Sequence, residues 1–193
     1  PSIVPVHELG VDAHGSVFYT MKLVKGVTLD AILEGIRTGD AAVTAKYPLG
    51  QLLAIFLKAC DAVAFAHMKN VVHRDLKPEN IMVGEFGEVL VMDWGLGKVL
   101  ARDDKDPSEQ EAAKSKQTTI IDSARVGEAA QGAAATLDGA VMGTPLYMAP
   151  EQAYGKVSEI DRQSDIYSLG AILYSILTLH PPVSGSSVNA ILL

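Results

Sequence analysis

Hydrophobic positions along the chain gather into short β-branched runs and one stretch of helical spacing. Ile3–Leu9 and Val17–Leu23 are rich in β-branched and aromatic residues, joined by Asp12-Ala13-His14-Gly15, a turn by composition. This predicts a β-hairpin. Thr28 has the chemistry of an N-cap and predicts a short helix through about Arg37. From Leu49 to Lys69, the residues Leu52, Phe56, Ala59, Val63 and Ala66 fall at three- and four-residue spacing, which predicts a long helix stopping at Asn70. Ile81–Val83 and Val89–Met92 read as two short strands around a turn at Gly84 and Gly87. A last helix is predicted from Ser164 to about Leu179, ending before Pro181-Pro182.

Between Leu100 and Ala140 the pattern fades. Ala, Asp, Glu, Ser, Lys and Gln dominate, aromatics vanish, and the stretch reads as a mobile or partly disordered insertion. No internal repeat is evident.

Composition narrows the function classes. The 193 residues are 48% hydrophobic and 20% charged, the make-up of a globular chain with a real core. A net charge of −7 with no basic cluster argues against a nucleic-acid partner. The single Cys60 excludes an internal disulfide and a multi-cysteine zinc site, reads as an apolar filler, and makes a reducing, cytoplasmic setting the default. No signal peptide is visible. The apolar stretch Leu169–Leu179 is too short to cross a bilayer, so no membrane segment is expected in this chain, although a longer parent protein could carry an anchor elsewhere.

The chemistry concentrates in three ordered blocks: His73-Arg74-Asp75-Leu76-Lys77-Pro78-Glu79-Asn80, then Asp93-Trp94-Gly95, then Gly143-Thr144-Pro145-Leu146-Tyr147-Met148-Ala149-Pro150-Glu151. An acid, an amide five residues on, and a second acid opening a glycine turn supply what metal-assisted phosphoryl transfer needs. With these blocks in this order, the chain resembles the catalytic domain of eukaryotic-type (Hanks-type) serine/threonine protein kinases, most closely the bacterial branch. The resemblance implies an α+β, protein-kinase-like fold with a partial small-lobe hairpin and a mainly helical large lobe. Residues 1–24 would be the end of the small lobe and the hinge. Residues 25–193 would begin the large lobe, with an activation-segment insertion at about 100–142. It implies Mg²⁺-dependent transfer of the ATP γ-phosphate to a Ser or Thr hydroxyl of a protein substrate.

Carried over residue by residue, Asp75 is the catalytic carboxylate that orients the acceptor hydroxyl and takes its proton. Asn80 and Asp93 are the Mg²⁺ ligands, hard oxygen donors suited to that ion. Lys77 meets the transferring phosphate as a point charge, and Thr144 bonds near Asp75 and Lys77. Met21 gates the adenine pocket, Lys22, Leu23 and Val24 form the hinge, and Met82 and Leu29 supply apolar surface below the ring. His73 packs under the metal-binding turn, and Trp94 stands where the family usually has Phe. Arg74 implies an activation loop pinned by a phosphate, with Thr118, Thr119, Ser123 and Thr136 as acceptors and Thr136 preferred. Asp165 resembles the buried carboxylate that holds the catalytic loop. Glu151 normally pairs with an Arg, for which no downstream candidate is found.

The family's Gly-rich loop, its phosphate-gripping strand Lys and its helix Glu are missing. The expectation is therefore an excerpt of a working kinase that turns over ATP poorly by itself. The alternative is an inactive pseudokinase used as a scaffold, but degeneration usually erodes the catalytic Asp or metal ligands, and all three are here. An antibiotic phosphotransferase would share the Asp and Asn without Leu-Lys-Pro-Glu or the Gly-Thr-Pro…Ala-Pro-Glu block.

Overall fold

The computed structural model describes residues 2–12, 14–94, 98–99 and 145–183. These fall into two compact units.

The smaller unit, from Pro5 to Lys22, is the hairpin: β1 (Val6–Val11) pairs antiparallel with β2 (Val17–Met21), with a register shift between Val6 and Glu8. Its turn is held by Asp12, whose Oδ1 accepts from the backbone N–H of His14 (2.8 Å) and Ser16 (2.9 Å), with Gly15 at φ 85°. Aspartate in this role closes an Asx-type turn, and glycine takes the left-handed residue without a β-carbon clash. The first strand starts three residues later than the sequence suggests. In the larger unit, Ile3 makes a parallel bridge with Val91.

The larger unit is built on two helices and a small sheet. β3 (Val27–Thr28), β5 (Ile81–Val83) and β6 (Val89–Val91) form an antiparallel sheet in the order β3-β5-β6, while β4 (Val71–Val72) pairs with β7 (Lys98–Val99). Helix α1 (Leu29–Arg37) is capped by Thr28, whose hydroxyl accepts from the Ala31 N–H at 3.1 Å. Helix α2 (Ala41–Lys46), not anticipated, is only six residues long, too short for a hydrophobic period to register; its signal was the N-cap Asp40.

Helix α3 (Leu49–Met68) carries one buried face of Leu52, Ile55, Ala59, Ala62, Val63 and Ala66. Phe56, expected in that stripe, is only partly buried, and Ile55 takes the core position. With a mean hydropathy of 1.6 over its apolar window, α3 is long and apolar enough to cross a membrane by length and composition. It, not Leu169–Leu179, is thus the most apolar helical stretch described. In this fold it packs against β4, β6 and the last helix. Asn70 ends it at φ 59°, a left-handed residue that asparagine tolerates.

Helix α4 (Pro150–Ala153) is followed by α5 (Arg162–Thr178). Helix α5 begins at Arg162, two residues before the predicted start at Ser164, and its N-cap is Asp161. The Asp161 carboxylate accepts from Gln163 N at 2.7 Å, and Ser164 sits at the third helical position, its hydroxyl accepting from Asp161 N at 3.3 Å. Leu29, Ile32, Ile55, Val63, Ile81, Val91 and Ile172 share one core.

Gly26 shows how tightly β3 lies on its neighbour: a β-carbon there would fall 2.2 Å from the Val83 carbonyl oxygen. Gly26→Ala is expected to destabilise the domain by about 2 kcal/mol, because backbone must move to admit the methyl. Denaturant unfolding of the variant beside the wild type checks this; equal midpoints would contradict it.

Candidate functional site

The site grows from the end of α3 and the β5–β6 hairpin, all within the larger unit. In β5 and β6, Ile81 pairs with Val91, so Asn80 and Met92 stand one step further along the same register. The Met92 N–H donates to the Asn80 carbonyl at 2.8 Å. Strand pairing therefore brings Asn80 and the turn containing Asp93 to the same end of the hairpin. Asp93 adopts a left-handed backbone, φ 57°, which aspartate accepts more readily than most residues.

Asp75, Lys77 and Asn80 converge. The Lys77 ammonium lies 3.1 Å from Asp75 Oδ2. Asn80 Nδ2 donates to the Asp75 carbonyl at 2.7 Å and to its carboxylate at 3.2 Å. Those bonds commit the amide nitrogen and fix the opposite orientation for the amide oxygen. A 3₁₀ turn over Pro78–Asn80 makes the bend, with Pro78 at its first position.

The loop is held from beneath by Asp165 on α5, 1% exposed. Its Oδ2 accepts from His73 N (2.8 Å) and faces His67 Nε2 (2.7 Å), and its Oδ1 accepts from Arg74 N (2.9 Å). A buried carboxylate is tolerable because each oxygen meets a donor. His67 is a member of this cluster that the sequence reading missed. One residue before the end of α3, it had no motif to mark it.

His73 is fully buried, and its ring is fixed by two bonds. Nε2–H donates to the Met92 carbonyl at 2.9 Å, and Nδ1 accepts the Asp75 backbone N–H at 3.2 Å. That pairing requires the neutral ring. Burial holds its pKa below the ordinary imidazole value, opposed by the Met92 carbonyl and the carboxylates of Asp165, Asp75 and Asp93. Trp94 packs edge-on against this imidazole, ring centres 4.5 Å apart, and its indole N–H donates to the Val91 carbonyl at 3.0 Å. The indole thus packs its apolar body against the imidazole while its polar N–H finds an acceptor.

The block beginning at Pro145 rests on α5. Ser168 donates to the Tyr147 carbonyl at 2.8 Å, and the Tyr147 hydroxyl meets Ser175 Oγ at 3.2 Å. Glu151 accepts from the Ser164 hydroxyl, so its partner in this unit is a serine where an arginine was sought. Gln152, unremarked in the sequence, donates from Nε2 to the Arg74 carbonyl at 2.6 Å.

Met82 lies on β5, partly exposed and paired with Thr28 and Leu90, while its neighbours Ile81 and Val83 are buried. It therefore offers an apolar surface on the face away from the core. Leu29 does not: it is completely buried in the core, which corrects its expected place below an adenine ring. Leu23 is 80% exposed. Met21 belongs to the hairpin unit, where it is half-exposed. Thr144, Gly95 and the Ser/Thr residues 118, 119, 123 and 136 lie outside the described residues.

The donor set fits Mg²⁺. That ion binds proteins through one or two oxygen side chains and keeps waters or phosphate oxygens on its remaining positions. A carboxylate (Asp93) and an amide oxygen (Asn80) at one hairpin end meet this requirement. Among the described residues no group of three or more His, Cys, Asp or Glu could hold a metal, as zinc or a protein-caged calcium would need.

A carboxylate-anchored loop bearing Asp75, Lys77 and Asn80 beside an Asp-led turn, on a helical core, is the architecture of a kinase-type domain. The protein kinase domain family matches the sequence over residues 1–192. The chain belongs to that family. It is 41% identical over 195 residues to the serine/threonine-protein kinase PknD of Protochlamydia amoebophila, covering 98% of this chain and 18% of that protein. It is 38% identical over 186 residues to PknD of Chlamydia trachomatis serovar D, and 32% identical over 189 residues to PknD of Chlamydia pneumoniae. Each of these two matches covers 94% of this chain, and 19% and 18% of the respective relative. The chain thus spans less than a fifth of the length of these relatives.

Proposed function

We propose that this chain is the catalytic core of a serine/threonine protein kinase that moves the ATP γ-phosphate to a protein hydroxyl. The observation that carries the reading is the Asp75–Lys77–Asn80 cluster, held by Asp165 and set beside Asp93. Asp75 orients the acceptor hydroxyl and receives its proton; Lys77, 3.1 Å away, lends positive charge to the same space. Asn80 and Asp93 hold Mg²⁺, which when bound neutralises charge on the phosphate oxygens. Thr144 supports Asp75 and Lys77. Met82, with Leu23 of the hinge region, takes the adenine.

Residues 1–24 are read as the end of the small lobe and 25–193 as the front of the large lobe, in a protein acting in the cytoplasm. Acceptors are protein serines and threonines. By itself this stretch turns over ATP poorly, because it lacks a Gly-rich loop and the Lys–Glu pair in its sequence. The intact Asp75, Asn80 and Asp93 disfavour a scaffold without activity.

The metal assignment has its own test. In the full-length protein, Asp93→Asn is expected to raise the Mg²⁺ concentration for half-maximal binding of a fluorescent ATP analogue by about tenfold or more, since one carboxylate charge facing the ion is lost. An unchanged Mg²⁺ dependence would contradict the role given to Asp93.

A further inference from the structure

Arg74 precedes the carboxylate that does the proposed chemistry, and it sits at φ 74°, a region costly for any residue with a β-carbon. Such a backbone persists only when its surroundings hold it. Here successive peptide groups are each tethered. The N–H of His73 and the N–H of Arg74 go to Asp165 at 2.8 and 2.9 Å. The peptide joining Arg74 to Asp75 is gripped at both edges: its N–H donates to His73 Nδ1 at 3.2 Å, and its C=O accepts from Gln152 Nε2 at 2.6 Å.

The orientation of that last peptide plane sets where the Asp75 side chain begins. Of the four bonds that hold the backbone of residues 73–75, the three from Asp165 and His73 come from α5 or from the loop itself. Gln152 alone among these reaches in from α4, 78 positions along the chain. Its amide oxygen accepts from Ala149 N at 3.3 Å, so the side chain is oriented from its own segment. That segment is fastened to α5 through Ser168 to Tyr147 and Ser164 to Glu151. Helix α5, the catalytic loop and the 145–153 block therefore form a closed circuit in which Gln152 is the link between the last two.

The geometry points to Gln152 as a positioning residue: it clamps the Arg74–Asp75 peptide, so that the seating of the 145–153 block governs the aim of Asp75. This rests on the kinase reading for its catalytic consequence, but the clamp itself does not need ATP to be observed.

The test uses the full-length protein and Gln152→Met, which keeps the length of the side chain and removes the donor. Without nucleotide, hydrogen–deuterium exchange in a peptide covering 73–77 should quicken about tenfold, the effect of one lost hydrogen bond, with α5 unchanged. With ATP and a Ser/Thr peptide, kcat should fall about tenfold while the KM for ATP stays within about twofold, because orientation and not nucleotide binding is lost. Gln152→Glu, which also lacks the donor, should behave in the same direction.

Unchanged loop exchange, or quickened exchange with an unchanged kcat, would overturn the proposal and leave the kinase reading standing. Exchange rising equally in α5 and the loop in both variants would make Gln152 a general packing residue and overturn it too. A folded wild type with no transfer would overturn the kinase reading and the catalytic consequence with it, while the exchange result would still decide the clamp.

Discussion

Asp75→Asn in the full-length protein is expected to lower phosphate transfer by roughly 10²–10⁴-fold, the range a positioned general base supplies. The amide keeps the size of the side chain and can still meet neighbouring donors through its oxygen, but it cannot take a proton at neutral pH. Asp75 is partly buried and lies 3.1 Å from Lys77, so the change also removes the counter-charge of that ammonium. ATP affinity should stay within about twofold, since the nucleotide is held by other groups. Steady-state transfer rates and nucleotide titration of the same preparation separate the two effects. Retained transfer would remove Asp75 from the chemistry; a large loss of ATP affinity would make it a binding residue.

The second large effect is on stability. Asp165→Ala leaves the His73 and Arg74 amides and the His67 ring without their acceptor at a site 1% exposed. Each orphaned donor in such a place costs about 1–3 kcal/mol, and the three together are expected to remove roughly 3–5 kcal/mol from the folding free energy. The catalytic loop would lose its floor at the same time. Denaturant unfolding should show the shift, and transfer should fall even where the domain stays folded. A variant as stable as the wild type would mean that these bonds are replaceable by water.

These two residues were legible in the sequence for different reasons. Asp75 stands in a run of eight residues whose order has few alternatives. Asp165 could be placed only by resemblance, because a lone acid opening an apolar helix has no local signature. Helix α3 followed from three- and four-residue spacing and the end of α5 from the Pro181-Pro182 stop, although the start of α5 was misplaced: Ser164 and Asp161 form a reciprocal cap, and either looks like the first residue from sequence. The two-residue strands β3, β4 and β7 are too short for any period to register.

Long-range contacts were the least legible. His67 meets Asp165 across 98 positions, and Gln152 meets Arg74 across 78; both depend on how helices pack, which local pattern does not encode. Leu29 was misread because an apolar residue at a helix start serves a core or a ligand wall equally well in sequence, and only its complete burial separates the two. Cys60 followed the simple expectation: it is partly buried against the core, and burial with the neighbouring Asp61 carboxylate pushes its thiol above the ordinary range, away from reactivity.

Transfer of phosphate to protein hydroxyls is followed with γ-labelled ATP. Full-length protein would be incubated with Mg²⁺, the labelled nucleotide and a mixed Ser/Thr/Tyr peptide substrate, and the labelled amino acids separated after hydrolysis. Label is expected on serine and threonine. A folded, nucleotide-binding protein that transfers none, or label confined to tyrosine, would contradict it.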